Sequence, residues 1–136
     1  MKIYIASFFD DRIRLHEPAA KLWALGHEVV SSWLYEVHKP DGMTQVEFEM
    51  KLAIKDLTEI EAADLVIIDT MSITPRGGRE VEYGYALRSH QRTLEFIVGP
   101  VRNIFHRLAD RQFDDWEQCI AHIKSRGGVC HTLAKS

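Results

Sequence analysis

The sequence is poor in cysteine, proline and glycine, and it has no excess of positive charge. Two cysteines in 136 residues exclude a disulfide framework. Cys119 and Cys130 can be drawn with His122 and His131 as a zinc set. However, Cys119 falls with Trp116, Ile120 and Ile123 on the apolar side of a late helix, and helix packing plus a tail is the simpler assignment. Four prolines and eight glycines leave no linker-like or low-complexity stretch. Lys and Arg number 17 against 20 Asp and Glu, a formal net charge of −3, and no basic stripe suggests binding to a nucleic-acid polymer. No apolar run approaches the roughly 20 residues of a membrane span. The N-terminus leads straight into a strand pattern, so no targeting segment is expected and a cytoplasmic location is. What remains is an ordinary globular composition, 46% hydrophobic and 27% charged. It predicts one domain over residues 1–126 and a tail over 127–136.

Strand and helix patterns alternate along the chain. Residues 2–7 form a short apolar strand, followed by a helix from about Arg12 closed by Gly26, and residues 27–33 a second strand. Thr44-Gln45-Val46-Glu47 is a capping box that opens a long helix to about residue 63. Phe48, Leu52, Ala53, Leu57 and Ile60 mark its buried face. Residues 64–70 are a continuous apolar run suited to a central strand, and residues 93–98 form a fourth. A short strand near Phe113 and a helix over about 114–125 complete the domain. Such alternation predicts a doubly wound α/β fold with a mainly parallel five-stranded sheet and helices on both faces. Ligands in that architecture bind at the carboxyl ends of the strands, where Ser7, Trp33, Thr70, Gly99 and the Gly77-Gly78 loop fall.

Two carboxylates draw attention within this frame. In Gly77-Gly78-Arg79-Glu80-Val81-Glu82-Tyr83-Gly84-Tyr85-Ala86 a glycine turn feeds a helix from about Arg79, and Glu82 is expected in its first turn, held ionised by the helix dipole. Gly84 is expected to let this helix approach the sheet closely. Asp56 lies on the apolar face of the long helix, four residues from both Leu52 and Ile60, so it must be paired, hydrogen-bonded or protonated. Lys55, Glu59 and Glu61 are assigned to solvated faces. An ionised carboxylate facing a buried acid suits nucleophilic attack with general-acid assistance.

The order of these motifs resembles the nucleoside 2-deoxyribosyltransferase family, including its nucleotide N-hydrolase relatives and short phage members. The resemblance rests on the opening Lys-Ile-Tyr-Ile-Ala-Ser strand, Gly-His-Glu-Val-Val-Ser-Ser-Trp, Asp56-Leu57 ahead of Ala63-Asp64, and Gly-Gly-Arg-Glu-Val-Glu-Tyr-Gly-Tyr-Ala. Val98-Gly99-Pro100 followed by Asn103-Ile104-Phe105 matches the phage-type continuation, so the likeness runs to about residue 125. It implies that Glu82 is the nucleophile, Asp56 the aspartate near the leaving base, and Tyr4 the tyrosine that orients the nucleophile. It also implies a homo-oligomer, with Asn103 donated to a neighbouring subunit's site, and it calls for neither cofactor nor metal.

Two positions depart from the family pattern. Arg76, six residues before Glu82, replaces an acidic or small hydroxyl residue, and Phe8 stands where the monophosphate hydrolases have a serine. An arginine beside Gly77, Gly78 and Arg79 suits a phosphate, while Phe8, Phe9 and Trp33 offer faces for a base. With Ser7, these residues are the expected substrate contacts. The resulting expectation is hydrolysis of the N-glycosidic bond of a nucleoside or its 5′-monophosphate. Deoxyribosyl transfer to another base is the alternative chemistry, and a non-catalytic nucleotide sensor is the alternative class.

Overall fold

The computed structural model describes residues 1–35, 38–89 and 91–126. Five strands, β1 (Lys2–Ala6), β2 (Glu28–Val29), β3 (Leu65–Asp69), β4 (Leu94–Val98) and β5 (Arg111–Phe113), form one sheet in the order β2-β1-β3-β4-β5, with every pair parallel. Three helices, α1 (Arg12–Ala24), α2 (Gln45–Ala62) and α3 (Gly78–Leu87), make the first three crossovers, and a fourth, α4 (Trp116–Ser125), follows β5. α1 packs with α4, and α2 with α3. Each helix pair covers one sheet face, as the apolar content of β1, β3 and β4 requires. The chain winds outward from β1 in both directions, so the β1/β3 boundary is the switch point where an open parallel sheet leaves a crevice. Among the described residues, no helix is long and apolar enough to cross a membrane.

The expected strand over residues 27–33 shortens to Glu28–Val29, and Ser31 accounts for this. Val30 N–H still reaches Ile3 O (2.8 Å), but Ile5 N–H then donates to Ser31 Oγ (3.1 Å) instead of a backbone carbonyl. A side chain that takes over a ladder bond ends the ladder, and the chain turns into a single 3-10 turn, Ser32–Leu34. Trp33 Nε1 donates to Ile5 O at 2.7 Å, so the turn is fixed to β1 on both sides of Ile5. α2 begins where its cap predicts, with Thr44 Oγ1 accepting from Glu47 N (3.1 Å). Its apolar face is less buried than expected: Ile60 is in the core, Phe48, Leu52 and Leu57 are half-buried, and Ala53 is exposed. Gly84 also departs from expectation, because it faces solvent and an added Cβ would meet nothing within 4 Å. The segment after β4 holds a 3-10 turn, Ile104–Leu108, capped by Asn103.

Asp69, the last residue of β3, is completely buried. Its carboxylate accepts two bonds from Arg14 of α1 (3.0 and 3.1 Å), one from Trp116 Nε1 of α4 (2.7 Å) and one from Met71 N (3.0 Å). Cys119 and Ile123 are buried in the core and His122 packs against Phe96 and Phe113, while Cys130 and His131 lie outside the described residues.

Candidate active site

Three elements meet at the switch point. β1 carries Tyr4 with its ring completely buried, and Tyr4 Oη donates to Glu82 Oε2 of α3 at 2.6 Å. α2 brings Asp56 beside Glu82, with the two carboxyls within hydrogen-bonding reach. Asp56 Oδ1 is buried, and no donor among the described residues faces it. α3 begins at Gly78, which makes Glu82 its fifth residue. The first-turn acid is Glu80, so the dipole and unpaired N–H groups of the helix end do not hold Glu82, as had been expected from the sequence. Its polar partners are Tyr4 and Asp56.

Burial raises both carboxyls above the ordinary range, Glu82 more strongly; the Asp56 charge adds to the rise at Glu82 and the Glu59 charge to that at Asp56, while the hydrogen bond with Glu82 opposes it at Asp56. The Tyr4 hydroxyl opposes this at Glu82 by donating to its charged form. Two adjacent carboxyls in this setting retain one proton between them across neutral pH, and that proton belongs to the pair. The Tyr4 phenol is itself driven well above its usual range by burial and then by the charges of Glu82 and Asp56, so it stays a donor.

Above the pair opens a cavity of about 440 Å³, a volume suited to a small ligand. Its floor includes Glu82 and Asp56, and its walls are Ser7, Phe8, Phe9, Trp33, Phe48 and Leu52. Thr74 and Arg76 of the loop before α3, and Gly78 at its start, also line it. Tyr4 is bonded to Glu82 without lining the cavity, and Ser7, Phe8, Trp33, Arg76 and Gly78 all reach it. Ser7 Oγ also donates to Asp69 O (3.3 Å). The Arg76 side chain is exposed, and among the described residues it makes no hydrogen bond or ion pair.

Three expected contacts serve differently. Gly77 caps α3 one residue behind the cavity wall. Arg79 touches the cavity, but its guanidinium is buried and engaged: Nη1 donates to Ser72 O (2.7 Å) and Asp69 O (3.4 Å), and Nε to Glu80 Oε2 (3.0 Å). It is a strut for the 70–78 loop. Asn103 lies away from the cavity, with Oδ1 accepting from Phe105 N (2.9 Å) and His106 N (3.2 Å) and Nδ2 donating to Glu80 Oε1 (2.9 Å). Its amide is committed to its own chain.

Sequence reasoning passed over several residues. Glu80 gathers Arg79, Asn103 and His106 Nε2 (2.6 Å). Arg102 N–H faces His106 Nδ1 (3.0 Å), which requires an acceptor there and places the ring proton on Nε2. Glu59 and Glu61 are not simply solvated, because Glu59 binds Ser32 and Glu61 binds Tyr85 and Arg88. The only hint for Glu59 was its place one helical turn from Asp56.

The fold is that of known nucleoside-processing enzymes. A 2-deoxyribosyltransferase from Bacillus psychrosaccharolyticus superposes with a TM-score of 0.72 at 22% identity, over 88% of this chain and 90% of that one. The CMP N-glycosidase BcmB of Clostridium botulinum superposes with a TM-score of 0.59 at 14% identity, over 92% and 99%. No family profile matches the chain, and no curated protein does.

Proposed function

We propose that this protein is a member of the nucleoside 2-deoxyribosyltransferase family that hydrolyses the N-glycosidic bond of a nucleoside or nucleoside 5′-monophosphate. The observation that carries this reading is the Tyr4–Glu82–Asp56 cluster at the floor of a nucleoside-sized cavity. The pair costs stability, since the fold must hold two carboxyls where burial and proximity disfavour their ionisation, and a site that only bound a nucleotide would gain nothing from it. A Glu82 carboxylate oxygen attacks the anomeric carbon while the electron pair of the carbon–nitrogen bond leaves with the base. Asp56 supplies the proton that the base takes with it. Water then attacks the glycosyl ester, returns a proton to Asp56 and frees Glu82, as in retaining glycosidases. Tyr4 holds the attacking carboxylate throughout. The aromatic wall receives the base, and the unengaged Arg76 beside Gly78 at the α3 N-terminus receives a 5′-phosphate.

Deoxyribosyl transfer is the second reading. It differs only in the group that attacks the glycosyl ester, and the first structural neighbour above is named for it. Chromatography of products from nucleosides and monophosphates, with and without a free acceptor base, separates the two readings. Glu82→Ala is expected to lower turnover by about three orders of magnitude or more with the fold intact. A variant that kept a tenth of wild-type activity would remove the nucleophile role. Arg76→Ala is expected to raise KM for a monophosphate about tenfold and leave unphosphorylated nucleosides unchanged. We also propose that the chain acts as a homo-oligomer located in the cytoplasm.

A further inference from the structure

Glu59 lies one helical turn after Asp56 on α2 and does not line the cavity. Its carboxylate accepts from Ser32 N–H (3.2 Å) and from Ser32 Oγ–H (2.6 Å). Ser32 starts the turn that is fixed to β1 at Ile5 through Ser31 Oγ and Trp33 Nε1. Ile5 follows Tyr4, so Glu59 joins the helix that carries Asp56 to the strand that carries Tyr4. The same link sets Trp33, a wall of the cavity.

We propose that Glu59 is a positioning residue that clamps α2 against the Ser31–Trp33 turn and stands as a fixed negative charge behind the Asp56–Glu82 pair. This rests on the N-glycosidase reading, because the use of such a charge is to keep on the pair the proton that the leaving base needs. The charged and titratable groups around the pair are Tyr4 from β1, Glu49, Lys55 and Glu59 from α2, Arg79 from α3, and Arg76 from the preceding loop. Glu59 raises the proton affinity of Asp56, Glu82 and Tyr4 together, whereas Lys55 lowers that of Asp56. The backbone of α2 keeps the Glu59 charge one helical turn from Asp56, while its bonds to Ser32 make the clamp, so the charge and the clamp are separable contributions.

Glu59→Gln separates the two functions. The amide still accepts from Ser32 N–H and donates to Ser32 Oγ, so the clamp persists while the charge is lost. The alkaline limb of kcat/KM should move down by about one pH unit with KM little changed, the size expected of a partly buried like charge at this distance. Ser32→Ala keeps the charge and weakens the clamp, and should lower kcat without moving the limb. Infrared difference titration of the protonated carboxyl, without substrate, should show the same downward shift in Glu59→Gln and none in Ser32→Ala. This second readout does not depend on turnover. A shifted carboxyl in a protein that cleaves no nucleoside would remove the N-glycosidase reading and leave the charge effect standing. An unshifted carboxyl titration in Glu59→Gln, or an equal shift in Ser32→Ala, would overturn the assignment to Glu59's charge.

Discussion

Glu82 is held by a phenol that stays protonated and pressed by a carboxyl of its own sign, and this has a thermodynamic signature. In the folded state the Asp56 and Glu82 pKa values are raised, to about 6 and about 8, from unfolded values near 4. The folded protein therefore binds protons that the unfolded chain has lost, and its stability falls as pH rises from about 4 towards 8. Glu82→Gln removes one ionisation, keeps an acceptor for Tyr4 and offers Asp56 a donor. The variant should be catalytically inert and should melt higher than wild type at pH 8, by several degrees, with the difference closing towards pH 4. Thermal denaturation across that range checks it, and equal melting temperatures at pH 8 would show that the pair is not strained. Asp56 stood out in the sequence because periodicity puts it on the apolar face of α2, whereas Glu82 was singled out by the glycine turn ahead of its helix and Tyr4 by the family resemblance alone. Glu59 was not legible, because its partner Ser32 is 27 residues away and no local pattern joins them.

At the scale of elements, the sequence predicted the strand–helix order; β1, β3 and β4 were plain because their apolar runs are clearly bounded, whereas the short β2 and β5 followed from their place between helix patterns. It missed where side chains replace backbone bonds: β2 ends early at Ser31, and the segment after β4 forms a capped turn around Asn103. It also put Glu82 in the first turn of α3, because it started that helix at about Arg79 and not at Gly78. The loops after β3 and β4 support each other across Gly99, whose φ is +119°. A Cβ there would lie 2.6 Å from Thr70 Oγ1 and 3.0 Å from Met71 N. Arg102 adds bonds to Thr70 O (3.0 Å) and Met71 O (3.1 Å). Gly99→Ala should cost about 2 kcal/mol or more through strain and crowding. A urea midpoint that falls with an unchanged m-value would register this, and a midpoint within error of wild type would mean that the loops yield freely.

At the scale of the molecule, α2 presents an apolar stripe to solvent, Val46, Met50 and Ile54, which are 66%, 60% and 64% exposed. Ile104 and Phe105, also exposed, project from the loop after β4. The stripe is symmetric about Met50, so a second copy related by a twofold axis through that residue would set Met50 on Met50 and Val46 on Ile54. Light scattering at micromolar concentration should report a dimer or larger. Met50→Glu, which brings like charges together at the axis, should shift the population to monomer with the fold intact. A wild-type monomer at that concentration would end the proposal. The Asp69 carboxylate has a consequence of another kind. Its donors come from residues 14, 71 and 116, so they reach from α1 to α4. A ribosome-bound chain that has not yet released α4 lacks the Trp116 donor and leaves the end of β3, from which the 70–78 loop starts, incompletely anchored. Catalysis should therefore appear abruptly once residue 116 has emerged, and turnover by a nascent chain would report that α4 has docked.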